Sequence, residues 1–161
     1  VIICADKRVT FYGTIPERTS KIHLINRDTV LACAGDSCSE FRAIQHFSYP
    51  DWPSRDVVEF NQSGSEFEAI LIFKNKPYIL FGSTAPVPFE GEKFAIGSGG
   101  DFARAAMELG KSPRQAVEFA SRFDVNTSKE IDEYIAVLKN EKPELCGEMG
   151  LEIKPKQSGK S

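Results

Sequence analysis

The chain has 161 residues, 41% apolar and 27% charged, enough for one domain with a sizeable core and too few for two comfortable ones. A net charge of −3 with no basic patch excludes nucleic-acid binding as the main role. Apolar runs such as "AILIF" (69–73) are far too short to cross a bilayer, so no membrane span is expected.

Four cysteines, Cys4, Cys33, Cys38 and Cys146, form no Cys-x-x-Cys pair. Cys4 and Cys33 sit inside strand-like apolar runs, where cysteine behaves as a small buried hydrophobe, and a reducing, cytoplasmic setting is expected. Neither His23 nor His46 lies at metal-ligand spacing from a cysteine, so no zinc site is expected.

The chain opens directly in a strand-like run, "VIICA" (1–5), with no initiator Met and no signal-peptide pattern. Further residues upstream of Val1, or processing at that point, are therefore expected. Strands follow at "RVTFY" (8–12), "KIHLI" (21–25) and "TVLACA" (29–34), separated by turn signals at Asp6-Lys7, Gly13-Thr14 and Asn26-Arg27-Asp28. The period then changes. Phe41, Ile44 and Phe47, with Ala43 beside them, suit a helix capped by Asp36 or Ser37.

"YPDWPSRD" (49–56) reads as a loop, and "DVVEF" (56–60) as one or two helical turns. The strands "EFEAILIFKN" and "KPYILFGS" read as a hairpin with Asn75-Lys76 at its turn. After the loop "TAPVPFEGE", an apolar run passes through Ser98-Gly99-Gly100 into two helices. The first buries Phe102, Ala105, Ala106 and Leu109 and stops at Gly110. The second starts with Ser112 as N-cap, Pro113 at its first position and Gln115 completing a capping box, and it buries Ala116, Val117, Ala120 and Phe123. "EIDEYIAVL" (130–138) suits a strand or a third helix. Strands clustered apart from helices predict an α+β layered domain over residues 1–139, with a polar tail over 140–161.

The Ser98-Gly99-Gly100-Asp101 corner lacks the third glycine of a dinucleotide fingerprint and the Gly-Lys-Ser/Thr of a Walker loop. Pattern alone makes it a tight strand-to-helix turn with Ser98 as N-cap. Taken singly, Asp6 reads as a turn residue, Lys21 as a strand-end charge and Gly35 as a strand-to-helix joint.

Taken together, "VIICADKRVT", "KIHLINRDTVLACAGD" and "KFAIGSGGDFARAAMELGKSPRQAVEFA" resemble the proteasome β-subunit and HslV peptidase family, in that family's order. The resemblance implies an Ntn-hydrolase fold, a four-layer αββα sandwich of two antiparallel sheets flanked by helices. It also implies a threonine-type peptidase or amidase in which an N-terminal threonine attacks the peptide carbonyl and its own amine helps move the proton. Asp6 matches the family's aspartate and Lys21 its active-site lysine, whose ammonium lowers the cost of the alkoxide. Gly35 matches the oxyanion-hole N–H, Cys33 a wall of the substrate pocket, and Ser98 the serine beside the nucleophile.

In "SRFDVNTS" the resemblance puts Asp124 and Thr127 in the site, and the backbone carbonyls of Ser121, Asp124 and Thr127 at a monovalent or divalent cation. The residues also allow a plainer reading, a Thr-x-x-Glu capping box from Thr127 to Glu130. No cofactor is implied as required. The nucleophile is expected upstream of Val1, roughly ten residues away. A homo-oligomeric ring, a peptide or protein substrate and an ATPase partner are implied as well. The competing expectation is a non-catalytic protein of the same fold that acts by assembly or partner binding.

Overall fold

The computed structural model describes residues 1–9, 17–60 and 67–135. The expected far end of the 8–12 strand, the domain boundary at 139, the tail and Cys146 lie outside the described residues. The elements in chain order are β1 (Ile2–Asp6), β2 (Arg8–Val9), β3 (Glu17–Arg18), β4 (Ile22–Asn26), β5 (Thr29–Gly35) and α1 (Ser37–Phe47). They continue with β6 (Phe67–Phe73), β7 (Lys76–Phe81), β8 (Val87–Pro88), α2 (Gly100–Glu108), α3 (Pro113–Ala120) and β9 (Ile131–Ile135).

Strands β4 to β8 form one antiparallel sheet in sequential order. Its two faces are read off β5, where successive side chains alternate. Leu31 and Cys33 point to one face and join Leu71, Leu80, Ala43, Phe47 and Trp52 in a buried cluster under α1. Phe47 meets the Trp52 ring edge-on at 4.9 Å, and the two anchor the chain where it leaves the helix. Val30 and Ala32 point the other way, onto Ile3 of β1, with Tyr134 of β9 packed alongside. The β1–β9 pair is thus a second antiparallel layer stacked on the first. Helices α2 and α3 pack together through Ala103, Ala106, Met107, Ala116 and Ala120, and α3 lies against β1 and β9. The order of layers is helix, sheet, sheet, helices: the αββα sandwich expected of the Ntn-hydrolase fold.

Several local expectations are corrected. Residues 56–60 are extended, not helical: Glu59 bridges Ser83 and the Phe60 N–H donates to the Gly82 carbonyl, so this segment borders the end of β7. The hairpin turn is Lys74-Asn75, both at positive φ (48° and 63°), one residue earlier than expected. The 130–138 segment is strand β9, because its partner β1 offers a full ladder that a third helix would forfeit. With no helix there, Thr127 and Glu130 make no capping box.

Phe41 is exposed although Ala43 and Phe47 are buried. On α2 the buried line is Ala103, Ala106 and Met107, while Phe102, Ala105 and Leu109 face out. The alanines on both sides of that helix blur its phase, and close packing against α3 selects the smaller side. Phe123 lies past the end of α3 and stacks on Phe102 at the surface, ring centroids 5.4 Å apart. The capping box of Ser112 and Gln115 forms as expected, and Asp36 caps α1 by accepting the Ser39 N–H.

Candidate active site

Strand β1 ends on Asp6 and β4 starts just after Lys21, whose carbonyl accepts the Cys33 N–H at 2.9 Å. This pairing brings both side chains to one end of the sandwich, with Lys21 Nζ 2.8 Å from Asp6 Oδ2. Side-chain exposures of 19% and 13% mean that water screens the pair far less than a surface ion pair. The other carboxylate oxygen, Asp6 Oδ1, accepts the backbone N–H groups of Arg8 at 2.9 Å and Ser128 at 3.1 Å. Three donors fix the carboxylate, and through it the ammonium.

A second cluster stands at the glycine corner. Ser98 Oγ and Thr127 Oγ1 both donate to Asp124 Oδ2, at 2.7 and 2.6 Å, and the Asn126 N–H donates to Oδ1 at 3.2 Å. Burial pushes the Asp124 carboxyl upward. The hydrogen bonds from Thr127, Ser98 and Asn126, with the nearby Lys21 charge, outweigh burial and hold it below its ordinary 3.8. The Lys21 charge therefore acts on both carboxylates.

The glycines explain the shape of the corner. A Cβ on Gly99 would lie 2.5 Å from Thr127 Oγ1 and 3.3 Å from Asp124 Oδ2. Gly97 has φ 81°, and its N–H donates to Glu68 Oε2 at 2.9 Å. The N-cap of α2 is Gly99 and carries no side-chain cap, so the plainer expectation of Ser98 as N-cap is corrected: the Ser98 hydroxyl is engaged by Asp124 instead.

Asp6, Lys21, Cys33, Gly35, Ser98 and Thr127 line a single cleft of about 1530 Å³. Gly35 closes β5 at φ 104°, backbone geometry that favours glycine. Burial first, then the Glu40 carboxylate, raises the Cys33 thiol, and burial with Glu133 pushes Cys4 up to about 12. Both sulfurs are protonated at neutral pH and are poor nucleophiles.

Ser121 stands apart from this group. It caps α3, with its hydroxyl donating to the Glu118 carbonyl at 2.8 Å. The Asp124 carbonyl accepts the Thr127 N–H, and the Val125 carbonyl accepts from the Arg8 guanidinium. Among the described residues no group of three or more His, Cys, Asp or Glu side chains is arranged to hold a metal ion.

Sequence reasoning missed two residues that build this geometry. Glu68 is a lone carboxylate inside the apolar run of β6, a signal that was present. Ser128 contributes through its backbone N–H, which no residue type advertises.

No family model and no curated protein matches the sequence. Solved structures do match. The HslV crystal structure from Trypanosoma brucei is 20% identical and superposes with a TM-score of 0.64, over 82% of this chain and 90% of that one. BPH of Thiobacillus denitrificans is 15% identical with a TM-score of 0.67, over 87% of this chain and 94% of that one. The fold is the one they share. BPH in complex with epoxomicin superposes with a TM-score of 0.63 at 16% identity, over 82% of this chain and 90% of that one. What is shared is the fold, while four-fifths or more of the aligned residues differ from each of these structures.

Proposed function

We propose that this chain forms the body of a threonine-type peptidase or amidase, with an N-terminal nucleophile supplied by residues preceding Val1. The observation that carries the reading is the Lys21 ammonium, held by Asp6 at 2.8 Å and acting on Asp124, at a cleft bounded by Gly35. A strand antiparallel to β1 and joined to it by a turn begins opposite the end of β1. Its first residue would stand beside Asp6 and Lys21, roughly ten residues upstream of Val1. All five residues of β1 line the cleft that such a strand would enter.

In this mechanism the threonine hydroxyl attacks a peptide carbonyl, and its own α-amine takes the proton. The Lys21 charge stabilises the developing alkoxide. The Gly35 N–H receives the oxyanion, an interaction worth roughly 3 kcal/mol in the transition state. Ser98, whose hydroxyl donates to Asp124, accepts a hydrogen bond from that amine, which passes its proton to the departing peptide nitrogen as the C–N bond breaks and leaves the acyl-enzyme. The acyl-enzyme is then hydrolysed by water along the same route. No cofactor is required in this scheme. A cation on the loop carbonyls of Ser121, Asp124 and Thr127 would only stiffen that loop.

Ring assembly, feeding by an ATPase partner and a cytoplasmic setting belong to the same proposal. Assembly would give the exposed Phe102–Phe123 stack a neighbour. Among the described residues no helix is long and apolar enough to cross a membrane.

Intact mass and N-terminal sequencing of the natural protein test the reading. A mature end at threonine, serine or cysteine upstream of Val1, with covalent capture of epoxomicin there, is the expected result. A natural chain beginning at Val1 would discard it in favour of a non-catalytic assembly or partner-binding protein.

A further inference from the structure

Side chains alternate along β6, and Glu68, Ile70 and Ile72 share the face turned towards β1 and β9. Ile70 and Ile72 pack with Val30 and Ala32 between the two sheets, so Glu68 is a half-buried carboxylate at the end of an apolar line. Among the described residues no lysine, arginine or histidine forms an ion pair with it. Its hydrogen-bond donor is instead the main-chain N–H of Gly97, at 2.9 Å from Oε2.

The place of this bond matters. Across the sheet Glu68 stands opposite Ala34, and Phe67 opposite Gly35. The glycine corner passes over the same point, since a Cβ on Gly97 would lie 3.1 Å from the Ala34 Cβ. From Glu90 to Ile96 the chain makes no hydrogen bond to the larger sheet among the described residues, so the corner is fastened to that sheet at Gly97. Past Gly97 the ties run the other way. The Gly97 carbonyl accepts the Gly100 N–H at 2.9 Å, and Ser98 Oγ donates to Asp124, on the loop between α3 and β9. Those bonds fix Ser98 relative to the helices and the smaller sheet. The Glu68 bond fixes it relative to the larger sheet, which carries Gly35.

We propose that Glu68 is a positioning residue for hydrolysis, setting the distance from the Ser98 hydroxyl to the Gly35 N–H through the Gly97 main chain. This rests on the peptidase reading above and adds to it a residue that acts only through the corner. A displacement of about 1 Å between groups serving one reaction costs up to about 10²-fold in rate. Contacts that bind the peptide elsewhere along the cleft are untouched, so the loss falls on kcat and not on KM.

The test uses the natural protein with its upstream residues, a fluorogenic peptide, and the variants Glu68→Leu, Glu68→Ala and Glu68→Gln. Leucine continues the line of Ile70 and Ile72, so the melting temperature of Glu68→Leu holds or rises while the acceptor is lost. Its kcat is expected to fall about tenfold or more, with KM within about twofold. Glu68→Ala, which adds no bulk, shows the same loss. Glu68→Gln still offers an oxygen to the Gly97 N–H and brings kcat back to within about threefold of the unmutated protein. Folded Glu68→Leu or Glu68→Ala protein with an unchanged kcat overturns the proposal. So does a Glu68→Gln protein as slow as Glu68→Leu.

Amide hydrogen exchange, followed by NMR on the same proteins, reads the tether without catalysis. The Gly97 N–H should exchange about tenfold or more faster in Glu68→Leu and Glu68→Ala, and within about threefold of the unmutated rate in Glu68→Gln. A protein that cleaves nothing yet shows this pattern overturns the peptidase reading, and with it the role in hydrolysis, but upholds the tether. Gly97 exchange that no variant changes overturns the tether itself.

Discussion

A methyl group on Gly99 would sit 2.5 Å from the hydroxyl oxygen of Thr127. Because Thr127 and Ser98 share one oxygen of Asp124, displacing Thr127 would disturb the Ser98 bond as well. Gly99→Ala is expected to destabilise the fold by about 1–3 kcal/mol, as the overpacking is relieved only by moving that network. The next glycine is the control: a Cβ on Gly100 meets nothing closer than the Ala95 backbone at 3.5 Å. Gly100→Ala should be neutral or gain up to about 1 kcal/mol from the helix. Urea unfolding of the two variants checks the contrast, and equal costs would show that the corner tolerates a side chain.

The Asp6–Lys21 pair should respond unequally to loss of either partner. Asp6→Ala removes the acceptor of two backbone N–H groups as well as of the ammonium. It is expected to cost about 2–3 kcal/mol. Lys21→Met keeps both N–H bonds and the aliphatic stem, so it should cost about 1 kcal/mol. In the natural protein Lys21→Met should nevertheless abolish hydrolysis. Denaturation midpoints and peptide turnover, measured on both variants, separate the two roles. A Lys21→Met protein that unfolds would mark the lysine as a structural charge.

His46 makes stability sensitive to acid. Burial, aided by the Arg55 charge, holds its folded-state pKa below the ordinary 6.5, with the ring edge-on to Phe47 at 5.0 Å. The unfolded chain therefore binds the proton first. This contribution is intact above pH 6.5 and drains away as pH falls from there towards the folded-state pKa. The melting temperature should drop between pH 7.5 and pH 5, and less steeply in His46→Phe. Parallel pH profiles for the two proteins would exclude His46 as the cause.

The two capped helices give a local test. Asp36 accepts from both the Ser39 N–H and its hydroxyl, and Ser112 shares a capping box with Gln115. Asp36→Ala and Ser112→Ala should each cost about 1 kcal/mol and leave the sheets intact. Thermal melts with far-ultraviolet dichroism read both effects.

The parts of this molecule that were legible in advance are those encoded by neighbours in the chain. Capping by Asp36 and Ser112, the strand at 29–34 and the Gly110 stop depend on a few adjacent residues, and they stand as expected. The phase of α2 was not legible. With alanine at 103, 105 and 106, only the approach of α3 decides which side is buried. Residues 56–60 carry a helical spacing, yet hydrogen bonds with Gly82 and Thr84 draw them straight. At the site, Asp6, Lys21 and Ser98 could be named from a resemblance in motif order. The bond from the Ser128 N–H to Asp6 could not, since a main-chain donor leaves no trace in residue type.

That bond has a consequence for the order of events in synthesis. Asp6 and Ser128 are 122 residues apart, and the first strand is held by the ninth, among the last of the described residues to be made. A growing polypeptide still attached to the ribosome has no means of assembling the Lys21 environment until nearly all of this length has emerged. Formation of this end of the cleft is thereby timed to the emergence of the last described strand.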